Sequence, residues 1–279
     1  MSSNSVNLED IKTFLAELPD PETGRTLGNT KQLGDVQLDG NKLTAKIGLT
    51  THSAILWDET RSAIESQLRD KFPALETVSV EIAEHARPAE KLGQIGLTAK
   101  SVIAVGSGKG GVGKSTIAAS LALGLKRAGS KVGLMDADVY GPSIPHLVGA
   151  AGRPEIVENR IQPIVVNGLP VMSIGFLVPA GDAVIWRGPM LHQTVTQFLR
   201  DVNWGDLDYL IIDMPPGTGD IALTLSQLLP VTGSVVVCTP QHVALLDAVK
   251  AIAMFGKVNI PVAGMIENMS GFICPDCDK

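Results

Sequence analysis

The stretch VIAVGSGKGGVGKST, residues 102–116, decides the fold. Four apolar residues open it, five glycines and two lysines fill it, and it runs into the amphipathic helical pattern STIAASLALGLKRAG. Strand, glycine-rich loop and helix follow one another in the order that a phosphate-cradling loop requires. Gly108, Gly113, Lys114 and Ser115 fit G-x-x-x-x-G-K-[ST]. Glycines let backbone N–H groups curl around phosphate oxygens, and the helix N-terminus adds its dipole. The expected nucleotide-phosphate contacts are Gly108, Lys109, Gly110, Gly111, Val112, Gly113, Lys114, Ser115 and Thr116. Lys114 is placed to neutralise the β/γ-phosphate oxygens, and Ser115 to ligate Mg²⁺.

Outward from this loop, continuous apolar runs recur at 132–135, 209–212, 234–237 and 262–266, with helical patterns between most of them. Strands that are apolar on both faces and separated by helices make a mostly parallel sheet covered on both sides. The expectation for residues 101–279 is therefore an α/β P-loop domain. Ahead of it, residues 8–18 carry a helical stripe of Leu8, Ile11, Leu15 and Leu18. GDVQLDGNKLTAKIGL reads as two strands joined at Asp39-Gly40-Asn41, WDETRSAIESQLRDKF as a helix, and ETVSVEIA as a third strand. These give a small α+β domain over residues 1–84. The segment 85–100 mixes Pro, Gly and charge without periodicity and reads as a linker.

A formal net charge of −6 gives no global attraction to nucleic acid or anionic lipid, so neither is an expected partner. No window has the unbroken apolar run of a membrane-spanning helix. The N-terminus lacks the basic region and apolar core of a signal peptide, and a cytoplasmic location is the expectation. Three cysteines cannot all pair within one chain, which points to metal or redox use rather than a disulfide scaffold.

Two acidic segments follow strands. Asp136 and Asp138 come after VGLM, and Asp213 comes after YLII. An acid at a strand end beside such a loop holds the metal or its waters. Asp213 is the better candidate for that contact. Asp136 is expected to support the metal shell and Asp138 to orient the attacking water, with helix capping the rival reading for each. Asp220, ahead of IALTLSQLL, reads as a cap. Cys274 and Cys277 form a C-x-x-C, two thiolates able to share a metal. Four ligands are the usual requirement, so a complete site would combine the pairs of two chains. Zinc and an iron–sulfur cluster both suit such thiolates. Cys238, in GSVVVCTP, reads as a small core residue.

The arrangement GKGGVGKST resembles the deviant Walker A motif of the Mrp-type iron–sulfur carriers, the nitrogenase iron protein and the Min/Par partition ATPases. In that family the first lysine, here Lys109, crosses a dimer interface to the partner's nucleotide; a solvent-exposed loop lysine is the plainer reading. DADVYGPSIP, VMSIGFLV, WRGPM, DYLIIDMPPGTGD, CTPQHVALLDAVKAIAMF and IENMSGFICPDC narrow the likeness to the Mrp/ApbC-type cluster carrier ATPases, over nearly everything from residue 101 onward. LPDPETGRTL makes the N-terminal part similar to the small iron–sulfur assembly domain often fused ahead of this ATPase.

The resemblance implies Mg·ATP at the loop, a homodimer, and a [4Fe–4S] cluster bridged by Cys274 and Cys277 of both chains. It implies apoproteins and assembly scaffold proteins as partners, and adenine recognition by Asn268, which by sequence alone could equally be a turn residue. Trp186 and Met190 in WRGPM could be packing or interface residues. Two departures stand out. LTTHSAILWDE lacks the cysteine that related small domains often carry, and the chain stops two residues after Cys277, where relatives continue, so a truncated ATPase domain is expected. A Min/Par-like switch and a zinc-bridged scaffold that does not hydrolyse ATP are the rival functions. For Lys109→Ala the expected outcome is retained ATP binding with most hydrolysis lost, measured by nucleotide binding beside phosphate release; unchanged turnover with intact binding would remove the trans role.

Overall fold

The computed structural model describes residues 6–21, 24–49, 56–85, 89–93, 95–139, 141–177, 188–217 and 219–271. Trp186, Cys274 and Cys277 lie outside them. Two compact units divide the chain, Met1–Pro88 and Ala89–Lys279.

In the first unit, α1 (Leu8–Glu17) is capped by Asn7, whose side chain accepts from the Glu9 N–H. A hairpin follows, β1 (Leu33–Asp39) and β2 (Lys42–Leu49), then α2 (Trp57–Lys71) and β3 (Thr77–Glu84). The sheet order is β1-β2-β3, with β1 antiparallel and β3 parallel to β2. Residues of β2 alternate exposed and buried, the mark of a sheet packed on one face only. Leu43, Ala45 and Ile47 meet Ile11 and Leu15 of α1 and Leu68 of α2 in one core. Each such Leu or Ile contributes about 1.5–3 kcal/mol by leaving water.

Within LPDPETGRTL, Asp20 is buried and structural. Its carboxylate accepts from Gln32 Nε2 at 2.8 Å, and its N–H donates to the Arg25 carbonyl. Gln32 in turn accepts a short bond from the Thr30 hydroxyl.

The second unit starts with β4 (Glu90–Leu92), which pairs antiparallel with the long β5 (Leu97–Gly106). β4 lies wholly in the stretch that lacked periodicity, and β5 begins in it. Backbone pairing along an edge needs no apolar alternation, so a three-residue strand such as β4 leaves no pattern to read. After the loop come α3 (Lys114–Arg127), β6 (Val132–Asp136) and α4 (Ile144–Val148). A small hairpin of β7 (Ile156–Val157) and β8 (Arg160–Ile161) precedes β9 (Ile164–Val166) and β10 (Leu169–Ser173). Then follow α5 (Gly188–Asp201), β11 (Leu207–Asp213), α6 (Gly219–Leu228), β12 (Gly233–Cys238), α7 (His242–Lys257) and β13 (Val262–Glu267). The five apolar runs are β5, β6, β11, β12 and β13; β9 and β10 were not anticipated.

The main sheet runs β13-β12-β5-β11-β6-β10-β9, parallel from β13 to β10. Its central strands β5, β6, β11 and β12 are buried on both faces, while the edge strand β13 is largely exposed. Ile211 points to the layer of α3, among Ala118, Ala122, Leu134 and Val237. Its neighbours Leu210 and Ile212 point to the layer of α5, α6 and α7, among Phe198, Leu225 and Phe255. No helix of the described residues is long and apolar enough to cross a membrane.

Phe255 is fully buried, and a Cβ added to Gly106 would meet its ring, so it supports the end of β5 just before the glycine loop. Phe255→Ala is expected to destabilise the second unit by about 3–5 kcal/mol, read from the urea unfolding midpoint.

Candidate functional site

Register assembles the site. In the parallel ladders Asp213 pairs with Val105 on one side and with Asp136 on the other. The C-terminal ends of β5, β11 and β6 therefore bring the glycine loop and both acidic segments to one edge, where ligands bind in open α/β sheets. The loop after β11 lies alongside the glycine loop: the Gly217 N–H donates to the Ser107 carbonyl at 2.9 Å, and the Met214 N–H to Val105.

Close approach explains two of the glycines. Any side chain at Gly108 would run into the backbone carbonyl of Asp247, on the first turns of α7. Gly113 caps α3 at φ +84°, a left-handed conformation that costs other residues roughly 1–2 kcal/mol. The Ser107 hydroxyl donates to the Lys109 carbonyl at 2.8 Å, which fixes the start of the loop. Lys109 itself is partly exposed and makes no ion pair among the described residues. Gly110 and Gly111 are exposed, Val112 is buried, and Thr116 faces outward from α3.

Lys114 is buried, and its ammonium faces two carboxylates. Its Nζ lies 2.5 Å from Asp213 Oδ1 and 3.5 Å from Asp138 Oδ2, and donates to the Ser115 hydroxyl at 3.2 Å. Burial pushes the Asp213 carboxyl above its ordinary range, and Lys114 opposes that shift. Asp213 Oδ2 is buried and has no hydrogen-bond partner among the described residues.

Asp136 is differently placed. Its Oδ1 accepts from the Asp138 N–H at 3.0 Å, and its Oδ2 from the Ile144 N–H and the Ser173 hydroxyl. Desolvation, reinforced by the nearby Asp213 charge, raises its carboxyl to about 7. Both oxygens are committed to shaping the loop between β6 and α4. Asp138 Oδ1 accepts from the Gly141 N–H at 3.3 Å, which leaves its other oxygen toward Lys114.

The donor set suits a Mg²⁺ ion carried in with a nucleotide. Magnesium usually takes one or two protein ligands and fills its shell with phosphate oxygens and water. The Ser115 hydroxyl and the orphaned Asp213 Oδ2 are groups of that kind. Among the described residues no group of three or more His, Cys, Asp or Glu forms an all-protein cage.

Asn268 stands just past β13 and reaches this site: its Nδ2 donates to the Val112 carbonyl at 2.9 Å. Asp220 lies in the first turn of α6 rather than ahead of it, because Gly219 already belongs to the helix. Three contributors were given no role at the loop by the sequence. Ser173, Asp247 and the Pro216–Gly217 turn lie in segments that carry the family likeness, but only the fold shows that they meet the glycine loop and its acids.

With this geometry in view, the likeness to known proteins is direct. Residues 98–279 match the family described as NUBPL iron-transfer P-loop NTPase, and residues 8–82 match the family described as iron–sulfur cluster assembly protein. The chain belongs to the iron–sulfur cluster carrier family of P-loop NTPases. It is 45% identical to the iron–sulfur cluster carrier protein of Deinococcus radiodurans over 94% of this chain and 75% of that protein. With the carrier of Synechocystis it shares 41% identity over 95% and 77%. The carrier of Haemophilus influenzae is 59% identical, over 64% of this chain and 49% of its own length. A solved nucleotide-binding protein from Archaeoglobus fulgidus, in complex with ADP, superposes with a TM-score of 0.56 at 43% identity, over 65% of this chain and 71% of that one.

The paired charges carry a prediction about the nucleotide-free chain. Lys114→Met leaves Asp213 buried and unpaired and is expected to cost about 3–5 kcal/mol. Adding Asp213→Asn should recover most of that loss. Chemical unfolding of the two variants and the double variant would show the recovery, and purely additive losses would show that the pair is not coupled.

Proposed function

We propose that this chain is an ATP-hydrolysing iron–sulfur cluster carrier that works as a homodimer. The observation that carries the reading is the buried Lys114, bracketed by Asp213 and Asp138 behind a glycine loop, in a chain of the carrier family. A buried ammonium held between carboxylates is ready to exchange them for phosphate oxygens, which need the same partner. On nucleotide binding, Lys114 turns from Asp213 to the β/γ-phosphates. Asp213 and Ser115 are then available to hold Mg²⁺, which when bound neutralises charge that develops on the transferring phosphoryl group. Asp138, on the loop after β6, orients the attacking water. Lys109, which has no ion-pair partner among the described residues, reaches the partner's nucleotide. Catalysis on this reading is mostly positioning and charge neutralisation, and turnover is slow.

The cargo is a [4Fe–4S] cluster held between the Cys274 and Cys277 pairs of two chains, for delivery to apoproteins in the cytoplasm. Family membership and the C-x-x-C spacing support this part. The loops that follow Asp138 and Asp213 sense the γ-phosphate and transmit it to the cargo, as in other nucleotide switches. The fused N-terminal unit, matched to the assembly-protein family, serves as a docking module for scaffold or recipient proteins.

The test is anaerobic reconstitution with iron and sulfide, scored by visible absorption and metal per dimer. The wild-type chain is expected to take up about one cluster per dimer, and the Cys274→Ala/Cys277→Ala chain none. Retention of zinc with no charge-transfer band would make the cysteines structural and remove the carrier reading.

A further inference from the structure

Asn268 is anchored from three directions, and each observation bears on what it does. Its backbone N–H donates to the Cys238 carbonyl at 2.8 Å, which closes the last pair of the β12–β13 ladder, Cys238 with Glu267. Met269, directly after it, has φ +56°. A non-glycine residue there pays a steric cost and persists only where its surroundings impose it. The side chain then crosses to the glycine loop and donates to the Val112 carbonyl at 2.9 Å. It also packs so close over Gly113 that a Cβ at that position would collide with its amide nitrogen.

The bonded carbonyl matters because of peptide geometry. Val112 C=O and Gly113 N–H belong to one planar trans peptide and point to opposite sides of the chain. A donor that holds the carbonyl on one side therefore turns the Gly113 N–H to the other. That N–H has no partner among the described residues. The next peptide is held too, since the Gly113 carbonyl accepts the first turn bond of α3 from Ile117 at 3.0 Å. Two successive peptides of the loop are thus fixed, one by its own helix and one by a residue more than a hundred and fifty positions away.

We propose that Asn268 is a positioning residue for the phosphate loop: it fixes the Val112–Gly113 peptide so that the loop receives phosphate oxygens whatever base the nucleotide carries. This differs from adenine reading, which would make the same side chain a specificity contact. In the chain as it stands, one Nδ2–H is already given to the loop backbone, so the contact with the loop exists before any base arrives. Asn268 also stands six positions before Cys274, so the residue that grips the loop belongs to the segment carrying the thiol pair. The inference rests on the nucleotide reading above, and the test separates the two.

The test compares wild type with Asn268→Asp and Asn268→Ala for binding of Mg·ATP, Mg·GTP and inorganic tripolyphosphate by calorimetry. Asp keeps the size of the side chain but replaces the donor with an acceptor that the Val112 carbonyl repels. The expected result is a loss of about tenfold for all three ligands by the same factor, with the ATP-to-GTP preference unchanged. Hydrogen exchange in the nucleotide-free chain should show faster exchange at residues 111–114 in both variants, with the rest of the second unit unaffected. A loss confined to ATP, with tripolyphosphate binding intact, would make Asn268 a base reader and overturn the proposal, as would no change in any ligand. A wild-type chain that binds none of the three would overturn the nucleotide reading itself. Should Asn268→Asp fail to fold, Asn268→Ser, which leaves room for water at the Val112 carbonyl, carries the same comparison.

Discussion

A lysine with almost no access to solvent sits against a carboxylate with none, and the rest of the second unit is arranged around that fact. Neither charge tolerates burial alone. Holding them together requires the helix that carries Lys114 to begin immediately above the strand end that carries Asp213. That in turn requires β5 and β11 to be neighbours, in parallel, with Asp213 beside Val105. Glycine at 108 lets α7 press against the loop, and glycine at 113 lets the chain turn into α3. The apolar layers on both faces of the sheet keep water from the pair. The arrangement is only partly satisfied: Asp213 keeps one buried oxygen without a hydrogen-bond partner among the described residues.

The three acidic residues show how similar motifs separate in role once they are placed. Asp136 and Asp213 are side by side in the ladder, yet Asp136 is consumed by two backbone N–H groups and the Ser173 hydroxyl. Asp213 faces the ammonium. Asp138, two residues after Asp136, stands off at 3.5 Å from the same lysine and holds its own loop with its other oxygen. Burial and hydrogen bonding, rather than residue type, separate the three carboxylates here. The Asp20 of the N-terminal unit repeats the lesson, since a residue that marks a family segment there ties its own loop to Gln32.

The two units also differ in how their sheets meet water, and the sequence shows it directly. The three strands of the first unit alternate because only one face is covered by α1 and α2. The central strands of the second are apolar throughout because helices cover both faces.

By itself the sequence determined the α/β class, the five central strands, the phosphate loop with Lys114 and Ser115, and the acids that would stand near it. These are local facts: a run of apolar residues, a glycine spacing or a strand-end acid is complete within about fifteen positions. The tertiary structure alone decided which strands are neighbours, and hence that Asp213 rather than Asp136 faces Lys114. It also decided that Asn268, which a turn or a base contact would explain equally well from sequence, grips the Val112 carbonyl. Strand β9 and the short β4 escaped notice for a related reason, while β10, interior between β6 and β9, has its apolar run broken by Pro170. Backbone hydrogen bonds hold an edge strand without imposing a side-chain pattern, and a contact across more than a hundred residues leaves no trace in either local stretch. Where chemistry depends on register between distant segments, only the folded chain states it.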